Sequence, residues 1–203
     1  TDRIAEADAA LKAGRLDDAI ALTEAALQEA PRSPLRLYLN FTSLLYRKGM
    51  FERSVRWCRA GLEVYPRDAD LWNVLGVCLR RMGESGQALE ALNAGLKLNP
   101  KHEGLLHNKG NVLNDMKDGP GAVAVFSRLV RTAPTNAELQ RALGRGLWAS
   151  GEFEKAEMRL RLATRLKPDL IDAWLDLSSL RAEAQDAAAA LAILDEGLKA
   201  TSH

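Results

Sequence analysis

Apolar residues recur along this chain at the three-and-four spacing of amphipathic helices, in blocks separated by short polar turns. The clearest pair of blocks lies on either side of the turn 83–85, with Leu75, Leu79 and Met82 before it and Leu89, Leu92, Leu96 and Leu98 after it. A glycine in a short polar stretch is typical of a tight turn. The pattern therefore predicts two helices joined by a turn, and no segment of the sequence reads as a convincing strand.

Prolines repeat this two-helix unit at a fixed period. Pro66, Pro100, Pro134 and Pro168 are each 34 residues apart, and Pro31 precedes Pro66 by 35. Small residues keep the same period, at Gly76, Gly110 and Gly144 and at Ala88, Ala122, Ala156 and Ala190. Such a period indicates stacked supersecondary units, none of which buries its apolar face alone. The predicted repeats are approximately 1–34, 35–68, 69–102, 103–136, 137–170 and 171–203.

The repeated small residues suggest where the two helices of a unit cross. Antiparallel helices approach closely only where a side chain is nearly absent. We therefore expect the glycine of each first helix to face the alanine of the second helix. A larger residue there would overpack the pair at a cost of about 1 to 3 kcal/mol.

These positions resemble the tetratricopeptide repeat family, whose pattern is W-x2-L-G-x2-Y, then A-x3-F, then P. The third repeat matches best, with Trp72, Leu75, Gly76, Leu79, Ala88, Leu92 and Pro100 in these places. Thr42, Ser54 and Ser178 replace glycine or alanine elsewhere but remain small. The resemblance covers essentially the whole chain. It implies an all-α, right-handed superhelical solenoid of about six helix-turn-helix repeats, forming a single domain over residues 1–203.

The same resemblance places the first helices on the concave face, where residues 34 apart form ladders along a groove. The residues predicted to bind a partner there are Asn73, Arg80, His107, Asn108, Asn111, Asn114, Arg141, Arg145 and Trp148. Asparagine amides can bond both N–H and C=O of an extended peptide, and arginine pairs bidentately with carboxylates. The alternative is that these polar side chains only solvate exposed helices. Arg56 and Trp57, on a second helix, keep binding by the convex face open.

Charge is unevenly distributed, although its total is only +1. Residues 35–170 carry eight more basic than acidic side chains, whereas residues 1–34 and 171–203 carry three and four more acidic ones. This distribution favours acidic segments of a protein or peptide partner, or it is simply an uneven solvated surface. Nucleic acid is not an expected partner, because the strongly basic balance and the motifs of such proteins are missing.

Catalytic and metal-binding motifs are missing from the sequence, so no catalytic residue, metal or cofactor is expected. His102 is expected to be solvated in a turn. Cys58 and Cys78 lie on apolar helix faces and are expected to be buried structural thiols. The longest apolar run, 187–194, is far shorter than the roughly 20 residues of a membrane-spanning helix, so membrane insertion is not expected.

Both ends of the sequence leave questions open. The first ten residues do not read as a signal peptide, which favours a cytoplasmic location, while a periplasmic one would require a leader that was removed. At the other end, Leu191, Leu194 and Leu198 need cover that repeat arrays normally take from a polar capping element. The sequence favours a fragment of a longer protein over an exposed assembly surface.

The function predicted from these observations is a non-catalytic interaction module, a scaffold or adaptor that holds an extended peptide or partner segment in its groove. Two alternatives remain: the substrate-recruiting or regulatory part of a larger enzyme such as a transferase, and a scaffold that self-associates through its ends. Binding of chaperone C-terminal tails is not expected, because no three consecutive repeats carry the lysines, asparagines and arginine of that site.

Overall fold

The computed structural model describes residues 2–201, and in that range the chain forms twelve α-helices and no strand. The helices are α1 (Asp2–Lys12), α2 (Leu16–Glu29), α3 (Leu35–Arg47), α4 (Phe51–Val64), α5 (Ala69–Arg81), α6 (Ser85–Leu98), α7 (Glu103–Asp115), α8 (Gly119–Thr132), α9 (Ala137–Ala149), α10 (Phe153–Leu166), α11 (Ile171–Glu183) and α12 (Ala187–Thr201). None of these described helices is long and apolar enough to cross a membrane. The predicted all-α solenoid of helix-turn-helix repeats is confirmed.

The chain divides into two compact units, residues 1–100 and 101–203. In the first unit α1 packs on α2, α3 on α4 and α5 on α6, and the contact of α4 with α5 joins the last two pairs. In the second unit the pairs are α7 with α8, α9 with α10 and α11 with α12, joined by α8 with α9 and α10 with α11. Each unit is therefore a stack of three helix pairs, and a single solenoid over all six repeats stays a prediction.

Side-chain caps start three of the first helices. Asp68 Oδ1 accepts the Leu71 N–H at 2.8 Å, and Asn136 Oδ1 accepts the Leu139 N–H at 3.1 Å. At the equivalent place His102 Nδ1 accepts the Leu105 N–H at 3.2 Å. These acceptors satisfy backbone donors that a helix start leaves unpaired. His102 lies in the turn before α7, as expected, but it is half-buried rather than fully solvated, and its ring caps the helix.

Four of the five regularly spaced prolines also accept a hydrogen bond. In each case the proline carbonyl oxygen accepts it from a side chain of the following helix. The donors and distances are Tyr38 OH to Pro31 O at 2.7 Å, Trp72 Nε1 to Pro66 O at 3.1 Å, Gln140 Nε2 to Pro134 O at 2.7 Å and Trp174 Nε1 to Pro168 O at 2.9 Å. These bonds tie the turn between repeats to the next first helix.

The expected contact of the small residues occurs at Gly144, where a Cβ would lie 3.3 Å from Ala156 O, but the repeated glycines approach large side chains of the second helix even more closely. A Cβ built at each glycine would lie 2.5 Å from Leu92 Cγ at Gly76, 2.6 Å from Phe126 Cε2 at Gly110 and 2.9 Å from Leu160 Cγ at Gly144. The missing side chain makes room for the bulky residue four places after the alanine. Ala122 instead lies against Gly146 of the next repeat, where a Cβ would be 3.1 Å away.

Hydroxyls that replace glycine or alanine become buried hydrogen-bond donors. Ser54 Oγ donates to Thr42 O at 2.9 Å, and Ser178 Oγ donates to Ala190 O at 3.0 Å. Cys58 and Cys78 are both fully buried free thiols, which confirms their structural role, and Cys78 Sγ contacts Ser54 Oγ at 3.1 Å. Polar groups inside the stack are thus paired with neighbouring helices, as burial requires.

The last helix leaves apolar side chains exposed. Leu191 and Leu198 of α12 are 67% and 65% exposed. Val130 and Leu62, two and four periods before Leu198, are buried. Leu191 and Leu198 are thus mostly exposed within the described residues, and the expectation that this face needs cover stays a prediction.

Candidate partner-binding site

Two of the predicted site residues, Asn73 and Arg80, lie in the first unit. Both are on α5, seven residues apart, and both are half-buried. Seven residues are close to two helical turns, so the two side chains lie on one face of α5. The second unit holds the other seven predicted residues.

Four of those seven are on α7: His107, Asn108, Asn111 and Asn114. Asn111 Nδ2 lies 3.2 Å from His107 Nδ1, and the His107 ring packs edge-on against Phe126. Asn114 is only 6% exposed. Its Nδ2 donates to Ala142 O of α9 at 3.0 Å, while its Oδ1 has no hydrogen-bond partner in the described part of the chain.

Arg141 of α9 is held by carboxylates of the protein itself. Its Nη1 donates to Asp172 Oδ2 at 2.9 Å and its Nε to Asp176 Oδ2 at 2.5 Å. The Arg141 and Asp176 side chains are less than a quarter exposed, so solvent weakens this pair little. A residue expected to bind an acidic partner is thus already neutralised by α11.

Arg145, one helical turn after Arg141, makes no hydrogen bond or ion pair within residues 2–201 and is half-buried. Trp148 is oriented by α11, because its Nε1 donates to Glu183 Oε2 at 2.7 Å. Arg145 and Trp148 are three residues apart on α9, and they differ because the Trp148 indole is held by a hydrogen bond whereas the Arg145 guanidinium is unpaired among the described residues.

Asn114, Arg145 and Trp148 line one cavity of about 480 Å³. Three further side chains that sequence reasoning missed complete it: Lys117, Phe153 and Glu183. Lys117 follows α7 with φ +58°, at the place where other repeats carry Gly83 or Gly151. The 34-residue period could have identified it as a departure from glycine. Phe153 and Glu183 carry no comparable signal, since only packing brings α10 and α11 to the cavity.

Three charged side chains of the described residues line this cavity, and the two cations among them are unpaired. Lys117, like Arg145, makes no ion pair among the described residues, and Glu183 is the only carboxylate lining this cavity. The cavity thus combines two unpaired cations, two aromatic walls and one buried, unsatisfied acceptor. The charged and aromatic side chains can hold a polypeptide segment that offers a negative charge and an apolar side chain.

A larger cavity of about 570 Å³ lies in the first unit, between α4, α5 and α6. It is lined mainly by apolar side chains, and Arg59 at its rim donates to Gln87 Oε1 at 3.1 Å. None of the predicted site residues lines it. The second unit's cavity is therefore the better candidate, because it contains unpaired polar groups that a partner would satisfy.

Trp57 was one of the two residues for which binding by the convex face was considered. In the structure it packs against neighbouring helices. Its Nε1 donates to Glu24 Oε1 at 2.7 Å, and its ring packs edge-on against Phe41 with centroids 5.8 Å apart. Within residues 2–201, moreover, no group of three or more histidine, cysteine, aspartate or glutamate side chains is placed to hold a metal ion.

Two tetratricopeptide repeat family models match this chain, one over residues 10–78 and another over residues 69–102. Residues 10–102 of the chain are therefore tetratricopeptide repeats. The TPR repeat-containing protein PA4667 of Pseudomonas aeruginosa is 24% identical over 168 residues, which is 82% of this chain and 28% of that protein. The human protein O-mannosyl-transferase TMTC3 is 26% identical over 189 residues, 91% of this chain and 20% of that protein. The chain thus spans less than a third of the length of these relatives.

Solved TPR structures share the fold. A tetratricopeptide repeat protein from Parabacteroides merdae superposes with a TM-score of 0.86 at 16% identity, covering 100% of this chain and 80% of the other. YrrB, described as a TPR protein with an unusual peptide-binding site, gives a TM-score of 0.68 at 20% identity, covering 88% and 91%. These similarities show that the chain shares the TPR fold.

Proposed function

We propose that this TPR chain is a non-catalytic scaffold that holds an extended segment of a protein partner against the first helices of its second unit. The observation that carries the proposal is the cavity formed by Asn114, Arg145 and Trp148, with Lys117 and Phe153 beside them. Arg145 and Lys117 make no ion pair among the described residues, so they can bind a negative charge of a partner. Asn73 and Arg80 of the first unit, and His107, Asn108 and Asn111 of the second, are proposed as further contacts, whereas Arg141 is already bound by Asp172 and Asp176.

The similarity to YrrB supports the proposal at the level of the fold, because that TPR protein is described as having a peptide-binding site. The cavity on this chain adds the chemistry. Trp148 is held in place by Glu183, and a pre-oriented aromatic side chain is the kind of anchor that dominates many interfaces.

A pull-down from the source organism followed by mass spectrometry tests the proposal. The bait is the full chain, compared with Arg145→Ala and with Arg131→Ala, which removes an exposed arginine of α8 outside the cavity. Circular dichroism first verifies that both variants fold. We expect a specific partner to be lost from Arg145→Ala and kept by Arg131→Ala. Retention of the same partner by both variants would contradict binding at this cavity.

A second candidate function is substrate recruitment within a larger enzyme. It is favoured by the similarity to the human O-mannosyl-transferase, of which this chain matches only a fifth. In that case the parent gene encodes a catalytic domain, and deleting the repeats raises the KM for a polypeptide substrate while leaving kcat largely unchanged. A parent gene that encodes repeats alone would exclude this candidate.

Self-association is a third candidate, favoured by the exposed leucines of α12. Sedimentation of the full chain over a range of concentrations tests it. The mass should rise with concentration and should stay monomeric in a Leu191→Glu, Leu198→Glu variant. A constant monomeric mass for the native chain would contradict it.

A further inference from the structure

The cavity of about 570 Å³ between α4, α5 and α6 of the first unit has an apolar interior. Leu62, Leu75 and Leu79 line it and are almost fully buried, and Ala94 lines it and is half-buried. Concave, mostly apolar sites of this size with a few polar groups are typical of places where proteins bind ligands. The polar groups of this cavity therefore indicate what it can bind.

Two carboxylates line this cavity from different helices. Glu63 lies on α4 and Glu90 lies on α6, and both side chains are exposed. Neither makes a hydrogen bond or an ion pair among the described residues. Arg59, which also lines the cavity, donates instead to Gln87 Oε1 at 3.1 Å. Both carboxylates are thus available to a cation from outside the chain.

These two carboxylates are not part of the repeat pattern. The positions one, two and three periods of 34 residues later hold basic or uncharged residues: Lys97, Arg131 and Arg165 after Glu63, and Ala124, Met158 and Ala192 after Glu90. The packing shared by the repeats therefore does not require the pair. The pair also stands out by its sign, because residues 35–170 carry eight more basic than acidic side chains.

Trp72 of α5 lines the same cavity with an indole that the protein itself holds in place. Its Nε1 donates to Pro66 O at 3.1 Å, and the side chain is half-buried. Tryptophan attracts a cation more strongly than the other aromatic side chains do. Lysine and arginine combine a positive charge with an aliphatic stem that packs on apolar surface. Their chemistry is therefore complementary to the carboxylates, the indole and the apolar walls.

We infer that the first unit's cavity is a second partner-binding site, which takes a lysine or arginine side chain of a protein partner. The aliphatic stem packs against the apolar walls and Trp72, and the cation is attracted by Glu63 and Glu90. This site goes beyond the proposed function, because it lies in the other unit and recognises the opposite charge. The chain can thus bind an acidic and a basic segment at separate places.

Selection from a phage-displayed library of random peptides tests this inference. The full chain is the target, and each selected peptide is then titrated while the indole N–H signals of the four tryptophans are followed by nuclear magnetic resonance. We expect one class of peptides to shift the Trp72 signal and to share a lysine or arginine beside an apolar residue. Replacing that lysine with norleucine should weaken binding about tenfold.

Trp174 is the matched control within the same chain. It lies three periods after Trp72, and its Nε1 donates to Pro168 O at 2.9 Å as that of Trp72 does to Pro66 O. Arg165 and Ala192 occupy the places of the two carboxylates there. The Trp174 signal should therefore stay unchanged when the basic peptides shift that of Trp72.

Charge variants separate recognition of the cation from apolar packing. Glu63→Gln combined with Glu90→Gln should weaken binding of the basic peptides about tenfold. Glu52→Gln removes an exposed carboxylate of α4 outside the cavity and should change affinity little. Glu63→Lys should abolish binding, and the chain carries Lys97 at the equivalent place one period later. Circular dichroism first verifies that each variant folds.

The outcomes distinguish this inference from the proposed function. Peptides that shift the Trp72 signal but bind the Glu63→Gln, Glu90→Gln variant as tightly as the native chain would overturn the recognition of a cation. A selection without any peptide that shifts the Trp72 signal would overturn the site itself. Neither result concerns the second unit's cavity, because Arg145→Ala should leave binding of the basic peptides unchanged.

Discussion

Trp57 donates its indole hydrogen to the carboxylate of Glu24 at 2.7 Å, across 33 residues of sequence. Arg53 binds the same carboxylate. Glu24 lies on α2 and both donors lie on α4, so this carboxylate links the first helix pair to the second. Burial raises the pKa of Glu24, but the hydrogen bonds from Trp57 and Arg53 and the nearby positive charges outweigh it. The pKa lies below its ordinary value of 4.5.

Replacing Glu24 with glutamine should therefore destabilise the chain in a pH-dependent way. Because the pKa is lower in the folded state, the stabilisation is complete above about pH 4.5 and is lost as the pH falls through the folded-state value. We expect Glu24→Gln to cost about 1 kcal/mol at neutral pH and much less in acid. Thermal unfolding at a series of pH values measures this.

Glu29→Gln is the control for Glu24. Glu29 pairs with Arg3 on the exposed surface, where such a pair contributes about 0 to 1 kcal/mol. A Glu24→Gln effect that persisted unchanged into acid would show that the charge is not what stabilises the junction.

Gly76→Ala should destabilise the third repeat by about 1 to 3 kcal/mol, because the new Cβ would lie 2.5 Å from Leu92 Cγ. Gly86→Ala is the control, since no atom lies within 4 Å of a Cβ there. Leu92→Ala removes the clash, so the double variant should lose less stability than the two single variants together. Strict additivity in urea unfolding would argue against this contact.

The turn between the two helices of each repeat contains a residue with a positive φ angle. Gly83 has φ +82° and Gln185, two periods after Lys117, has φ +60°. A left-handed conformation costs a non-glycine residue about 1 to 2 kcal/mol. We expect Gly83→Ala to lower the free energy of unfolding by about 1 kcal/mol and Gln185→Gly to raise it by about 0.5 kcal/mol. Thermal unfolding measures both changes. Gln185→Ala should give no gain, and a gain equal to that of glycine would contradict the argument.

Arg141 and Arg145 should separate stability from binding. Arg141→Ala leaves the poorly exposed Asp176 without its partner and should cost about 1 to 2 kcal/mol. Arg145→Ala breaks no described contact and should change stability by less than about 0.5 kcal/mol. Arg145→Ala should weaken partner binding more than Arg141→Ala does. Unfolding midpoints and affinities of both variants test this, and an Arg141→Ala variant as stable as the native chain would refute the structural role.

Both thiols should be unreactive in the folded chain. Burial raises the pKa of the Cys58 thiol to about 12 and also raises that of Cys78. The thiolate is the reactive form, so a thiol reagent at mildly alkaline pH should label both residues only on unfolding. An engineered Lys97→Cys on the exposed face of α6 should label at once and serves as the control. Rapid labelling of the native thiols would contradict their burial.

Much of the fold was predictable because the relevant signals are short-range. Pro66, Pro100 and Pro134 mark the ends of helix pairs, and the first helices α5, α7 and α9 begin three residues after each proline. Helix spacing, turn glycines and prolines act within one repeat, so they can be identified without knowing the packing. The sequence predicted that Gly76 faces the alanine of the second helix, Ala88, but could not show that Leu92, one turn later, comes closest to it. Only the crossing geometry selects Leu92.

The candidate site was predictable only in part. The 34-residue period identified Arg141 and Arg145 as equally good ligands for an acidic partner, since both lie on the same face of a first helix. The tertiary structure distinguishes them, because Asp172 and Asp176 reach Arg141 and nothing described reaches Arg145.

The sequence by itself determined that this protein consists of helix pairs stacked at a period of 34 residues, and which residues lie on the first helices. The tertiary structure decided which of those side chains are engaged with their neighbours and which line a cavity. The physical reason is the distance along the sequence over which each kind of interaction acts. A helix forms from contacts between residues three and four apart, whereas the pairing of a charge depends on side chains some 30 residues away, whose reach is set by how one helix packs on the next.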